Sequence, residues 1–169
     1  TYGYEVKIVR PSNNYGIYQQ PEKMIPFSIA KLETNENIEI YGDGNNVRHW
    51  LNVADTCSAI LSVIKDGEQG EIYNIGSDYY LSNIELAKKL LEILNINEDR
   101  VDFVQDRPGH DFRYAVNIEK LNNIGWSPKA DFDSELDKIV NWYINNKSWW
   151  LDEYENILLN KRKKRMGLV

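Results

Sequence analysis

The sequence predicts an α/β fold, on three observations. Short apolar strands alternate with segments of helical spacing over most of the 169 residues. Turn signals at Gly42-Asp43-Gly44, Gly76 and Gly125 close those segments, and no internal repeat or low-complexity linker interrupts them. A strand also runs directly into a polar loop and then a helix at 10–26, RPSNNYGIYQQPEKMIP. Open α/β sheets bind ligands beyond the carboxyl ends of such strands.

The elements follow in order. Residues 5–9 read as a strand, and 24–33 have helical spacing through Met24, Ile25, Phe27, Ile29 and Leu32. Residues 38–41 alternate up to the glycine turn, and 47–51 form a second short strand. Val53, Cys57, Ile60, Leu61 and Ile64 fall at the three-four spacing of an amphipathic helix over 53–65. A strand at 71–75 ends at Gly76. Ser82 and Glu85 have capping-box spacing and open a helix to about Leu94. A strand at 101–104 precedes DRPGHD. Asn117 can cap a short helix to Ile124, which Gly125 and Pro128 end. Two last helices are read at 133–145 and from 151 to about 165.

Composition narrows the function classes. The apolar fraction of 42% and charged fraction of 27% are ordinary for a globular domain, which at this length buries roughly 70% of its unfolded surface. A net charge of -6 gives no global attraction for polyanions, so nucleic acid is not an expected partner and a phosphorylated ligand needs a local cluster of cations. No long apolar run predicts a membrane span. The single cysteine, Cys57, points to a reducing cytoplasm. Thr1-Tyr2-Gly3-Tyr4 reads as the tail of a helix leading into a strand, and the chain as the carboxyl-terminal portion of something about twice as long. A Gly-rich dinucleotide turn between strand and helix is missing, and so is a well-placed Tyr-x-x-x-Lys.

In the loop, Asn13 and Asn14 offer donors and acceptors on short side chains, and Gly16 permits a sharp turn. SNNYG followed by PEK-Met-Ile-Pro resembles the dTDP-glucose 4,6-dehydratases, members of the extended short-chain dehydrogenase/reductase family. By that resemblance Asn13 contacts a sugar-nucleotide and Asn14 the NAD, while Lys23 and Met24 line the substrate site. Read alone, Lys23 is a solvated first-turn lysine. Ile17 stands where the family usually has Pro.

Two more segments extend the likeness. Glu39-Ile40-Tyr41-Gly42-Asp43-Gly44 with Arg48-His49-Trp50 is similar to the family's Tyr-Gly-x-Gly-x-x-x-Arg-Asp-Trp. The resemblance places Glu39, Ile40 and Tyr41 against the substrate, with Tyr41 stacked on thymine or simply packed in the core. Arg48 would hold the diphosphate through two parallel hydrogen bonds. His49 replaces the family's Asp, which weakens any orienting role and adds positive charge beside the phosphates at low pH. Asn83 matches a substrate-binding residue or serves as a helix cap. Asp106, Arg107, Pro108, Gly109 and His110 match a substrate segment in which Pro108 and Gly109 turn Arg107 and His110 to one side. Phe112 stands where the family often has Arg. The basic run 161–165 reads as a solvated helix end complementing the helix dipole. Trp142, Tyr143, Trp149 and Trp150 recur at the family's carboxyl end as packing residues.

The resemblance implies the carboxyl-terminal part of an extended short-chain dehydrogenase/reductase: the last strand of a Rossmann sheet plus a smaller substrate lobe. Residues 1–14 would end the NAD-binding domain, within a nucleotide-sugar-binding lobe of 1–169. The implied enzyme converts dTDP-glucose to dTDP-4-keto-6-deoxy-glucose in deoxysugar (rhamnose-type) biosynthesis. Its NAD is recycled, the intact enzyme is a homodimer, and none of its catalytic residues lie in this chain. The alternatives are a non-catalytic nucleotide-sugar binding module and another nucleotide-sugar epimerase or decarboxylase. No metal site is expected.

Overall fold

The structure, a computed structural model, describes residues 2–165. Thr1 lies outside the described residues, and 2–7 are extended without regular structure, so the strand expected at 5–9 begins later, as β1 (Ile8–Pro11). Pairing sets that start. β1 lies parallel to β5 (Ile72–Ile75), with Ile8 opposite Ile72 and Pro11 opposite Ile75. The chain then changes sheets at Ser12. The supposed loop is a strand of its own, β2 (Asn13–Tyr15), parallel to β4 (Val47–Asn52) with Asn13 opposite Trp50. The sharp backbone angle falls on Tyr18 (φ 61°), not on Gly16. Gly16 is needed for closeness instead, because a Cβ there would sit 2.7 Å from the Val53 side chain.

Around β4 the sheet is mixed. β6 (Tyr80–Ser82) runs antiparallel to it and β8 (Arg113–Tyr114) parallel. A separate pair joins β3 (Ile38–Tyr41) to β7 (Val101–Val104), in parallel. Among the described residues six helices complete the fold: α1 (Met24–Glu33), α2 (Val53–Asp66), α3 (Asn83–Ile93), α4 (Glu119–Asn123), α5 (Phe132–Asn145) and α6 (Lys147–Arg165). Their starts are chemical. The Asn52 side chain accepts from Ala54 N–H at α2, and Asp131 accepts from Ser134 N–H at α5. Ser82 and Glu85 form the full capping box at α3. Asn117 Oδ1 accepts from Glu119 N–H at 2.7 Å. The last helix begins at Lys147, four residues earlier than its apolar spacing suggests.

The chain builds three apolar clusters. The largest joins Tyr15, Trp50, Phe132, Tyr143, Trp150 and Tyr154 across β2, β4, α5 and α6. A second gathers Leu51, Val63, Tyr73, Ile75, Leu121 and Trp126 between α2, β5 and α4. The third packs Ile38 and Ile40 of β3 against Ala87 and Leu91 of α3. The α2 stripe is reversed relative to expectation: Leu61 and Ile64 are exposed while Asp55, Thr56, Ala59 and Val63 face inward. The buried Asp55 carboxylate is satisfied by the N–H groups of Lys129 and Ala130. β1 shares its sheet with β5, and β2 shares one with β4. No described helix is long and apolar enough to cross a membrane.

Candidate functional site

A cleft of about 360 Å³ opens where β2, α1, β3, β4, α3 and the 107–110 turn converge. Each element delivers its residues by its own periodicity. β2 alternates, so Asn13 lines the cleft and Asn14 faces away. On α1, Met24, Phe27 and Ser28 lie on one face at i, i+3 and i+4. Glu39, Ile40 and Tyr41 come from β3, Arg48 and Trp50 from alternate positions of β4, and Asn83 from the first turn of α3. Arg107 and His110 complete the wall.

Positive charge gathers here within an acidic chain. Arg48 is 8% exposed, and its Nη1 donates to the carbonyl of Val47 at 2.8 Å. It has no ion pair among the described residues, and burial holds its pKa below the ordinary arginine value. Asp111 opposes that shift at longer range, whereas the neighbouring Arg107 adds to it. A buried guanidinium with a second, exposed one beside it creates demand for an anion. The turn behind them is built for position: Gly109 has φ 69°, as the third residue of a Pro-Gly turn requires. Asp106 Oδ1 lies 2.7 Å from His110 Nδ1 and accepts from Arg107 N–H, and the histidine contact holds the carboxyl below its usual range.

Four expected substrate residues stand off the wall. Pro108 and Gly109 shape the turn, and Asp106 orients His110. Lys23 sits before α1 with its Nζ 2.7 Å from Glu22, which does line the cleft. Asn83 is not the cap of α3; Ser82 is. Asn14 is tied within the chain: its Nδ2 donates to Ser12 O and its Oδ1 accepts from Thr56.

His49 corrects an expectation. Alternation along β4 turns it away from Arg48 and the cleft, onto Tyr80, with ring centroids 4.1 Å apart and stacked. Its Nδ1 faces Val116 N–H at 3.4 Å, and burial pushes its pKa below the ordinary 6.5. It therefore adds no charge beside Arg48. The unfolded chain binds more protons than the folded one between the lowered pKa and about 6.5, so stability falls as pH drops through that window. Urea unfolding from pH 8 to pH 5 is expected to show this loss, and His49→Gln to shrink it. An identical profile in the variant would assign the loss to other groups.

Comparison with known proteins fits this geometry. Residues 1–76 match the family described as NAD dependent epimerase/dehydratase family. They carry β1 through β5 and, with them, Asn13, Arg48 and the β3 wall of the cleft. The dTDP-glucose 4,6-dehydratase of Streptomyces niveus is 42% identical over 151 residues, spanning 89% of this chain and 45% of the relative. That of Escherichia coli is 38% identical over 181 residues, with 100% and 49% covered. The low-salt glycan biosynthesis protein Agl12 of Haloferax volcanii is 42% identical over 146 residues, with 86% and 47% covered. This chain thus spans about half the length of the curated relatives it matches.

Among solved structures, the dTDP-glucose 4,6-dehydratase DesIV of Streptomyces venezuelae, with NAD bound, superposes with a TM-score of 0.86 at 42% identity, covering 89% of this chain and 47% of that one. UDP-glucose 4-epimerase of Thermotoga maritima, with UDP-glucose, superposes at 0.79 and 26% identity, covering 85% and 47%. The α/β fold is that of the carboxyl-terminal half of the dehydratase structures.

Several cleft residues are not among the expected substrate contacts: Glu22, Phe27, Ser28, Trp50 and Lys161. Phe27 and Ser28 were findable, because they share the α1 face of Met24. The basic run 161–165 departs from its expected role at its first residue: Lys161 reaches the cleft, while the side chains of Lys164 and Arg165 lie outside the described residues. A signal existed in the spacing. Trp150, Tyr154, Leu158 and Lys161 follow one helical stripe at i, i+4, i+8 and i+11.

Proposed function

We propose that this chain is the nucleotide-sugar-binding portion of a dTDP-glucose 4,6-dehydratase, active in deoxysugar (rhamnose-type) biosynthesis in the cytoplasm. The observation that carries the reading is the pairing of Arg48 with Arg107 in one cleft, with Arg48 desolvated and without an ion pair among the described residues. A diphosphate answers that demand, since its oxygens accept parallel hydrogen bonds from a guanidinium. A nucleotide-sugar brings such a group with a base and a hexose, and the relatives named dTDP-glucose 4,6-dehydratase are named for one. Asn13 and Asn83 then bind sugar or phosphate oxygens, and His110, held by Asp106, donates from the opposite wall. Tyr41, 40% exposed on that wall, offers a face for the base.

NAD is the implied cofactor, and the carboxyl end of β1 fits it. Ser12 Oγ is buried there without a hydrogen-bond partner among the described residues, and Asn14 is held beside it on the side away from the cleft. Asn14 and Ser12 would hold NAD from this chain, where it would supply the hydride acceptor and donor of the overall dehydration. The proton-transfer residues belong to the part of the relatives this chain does not span. The exposed face of α2, with Leu61 and Ile64, supports a further layer packing there in the intact protein.

The test is product analysis. Full-length protein with NAD should convert dTDP-glucose to a nucleotide-sugar lighter by one water, seen by mass spectrometry, and residues 1–169 alone should not. Recovery of a C4 epimer of unchanged mass would make the protein an epimerase. Turnover by residues 1–169 alone would overturn the assignment of binding without catalysis.

A further inference from the structure

The terminal helix α6 brings to the cleft a charge pair that the diphosphate does not require. Lys161 Nζ lies 3.8 Å from Glu39 Oε2 and 3.9 Å from the centre of the Phe27 ring. The other oxygen of Glu39 lies 3.3 Å from Nζ of Lys31, a lysine whose side chain is only 5% exposed. Lys31 is fixed in turn by Glu36 at 3.3 Å, and Glu36 by the Tyr154 hydroxyl at 3.1 Å. One carboxylate oxygen is thus anchored from behind by a buried cation, while the ammonium of α6 stands at its flank. Both Glu39 and Lys161 line the cleft.

An acceptor and a donor therefore sit side by side on the wall. At 3.8 Å they are too far apart to hydrogen-bond each other, yet close enough for each to meet one of two adjacent ligand atoms. A carboxylate accepts and an ammonium donates several hydrogen bonds, so a ligand atom can join the partners each already has. Glu39 and Tyr41 lie on the same side of β3 by alternation, so a flat ring placed on Tyr41 has its edge beside this pair. The edge that complements it carries an N–H next to a C=O. Thymine and uracil present that order through N3 and O4, whereas cytosine presents a bare ring nitrogen next to an amino group.

We propose that Glu39 and Lys161 read the imide edge of a pyrimidine base, Glu39 accepting from the ring N–H and Lys161 donating to the adjacent carbonyl. The proposal rests on the nucleotide-sugar reading above and adds base discrimination to it. Lys161 is a specificity residue, not a catalytic one.

Calorimetric titration of the full-length protein with dTDP, dUDP and dCDP tests it. The unmodified protein should bind dTDP and dUDP at least about tenfold more tightly than dCDP, the worth of a hydrogen bond to a charged group. Lys161→Met should weaken dTDP and dUDP about tenfold and dCDP less than about twofold, with a melting temperature close to the original. Lys161→Arg, which keeps a donor, should retain the preference. Equal weakening of all three nucleotides by Lys161→Met would make the lysine a general phosphate contact and overturn the proposal. Unchanged dTDP binding in that variant would overturn it too, leaving the nucleotide-sugar reading intact. Failure of the unmodified protein to bind any of the three would overturn that reading and this inference with it.

Discussion

Replacing Arg48 with alanine is expected to weaken dTDP-glucose binding about a hundredfold while leaving the ligand-free protein as stable as before, or more so. The two halves of this expectation have one cause. Arg48 sits on the central strand β4, 8% exposed, and among the described residues only the carbonyl of its neighbour Val47 takes a hydrogen bond from its side chain. Burial and Arg107 both work against its charge, and Asp111 answers only partly. A buried ion without a close counter-ion costs several kcal/mol of desolvation, which truncation relieves and which a bound diphosphate offsets. Against the ligand, losing one member of a desolvated charge pair costs about 2–5 kcal/mol, in line with a hundredfold change in affinity. Titration calorimetry and thermal melting of the same preparation read both halves. Arg48→Lys should fall between, because an ammonium keeps the charge without the planar fork. A melting temperature many degrees lower in Arg48→Ala would make the guanidinium a structural group and sink the argument.

What could be read from the sequence follows from where each feature gets its energy. The helix at Ser82 was legible because its start is a local device, a serine and a glutamate three residues apart closing on each other. The strands at 38–41 and 101–104 were legible because alternation and flanking turns bound them. Strands β6 and β8, three and two residues long, were not, since only pairing with β4 makes them strands. The Asn13–Tyr15 segment was read as a loop for the same reason: its partner is Trp50 and its neighbours. Alternation says that Arg48 and His49 face opposite ways, but not which of them faces the ligand. Family motifs decided for Arg48, and the assumption that its neighbour acts with it failed on the Tyr80 stack. Nine expected substrate residues do converge on one cleft, from segments up to 97 positions apart between Asn13 and His110. Lys161 was the costliest miss: its helix is so rich in charge that a solvated end was the natural reading, and only contact with Phe27 and Glu39 reveals otherwise.

Trp150 anchors that helix, and Trp150→Ala is expected to destabilise the protein by about 3–5 kcal/mol, the cost of emptying a large aromatic site in a packed core. Trp150 is fully buried, meets Tyr154 edge-on at 6.0 Å, and donates its indole N–H to the Tyr143 carbonyl at 2.8 Å. It therefore joins α5 to α6 through both packing and a hydrogen bond. For a chain of this size the loss lowers the melting temperature by about 10 °C, measurable by calorimetry or circular dichroism. Trp150→Phe, which refills most of the volume and loses only the N–H, should lose less than half as much. The substitution also separates anchorage from recognition. Downstream of Trp150 the helix keeps Tyr154 against Thr34 and Glu36, and Lys161 over Phe27. If the indole is what holds α6 on the cleft, Trp150→Ala should erode discrimination between dUDP and dCDP well below its melting temperature, and hydrogen exchange should rise first in α6. If discrimination survives while the melting temperature falls, the Tyr154 contacts alone position Lys161, and Trp150 serves only the core.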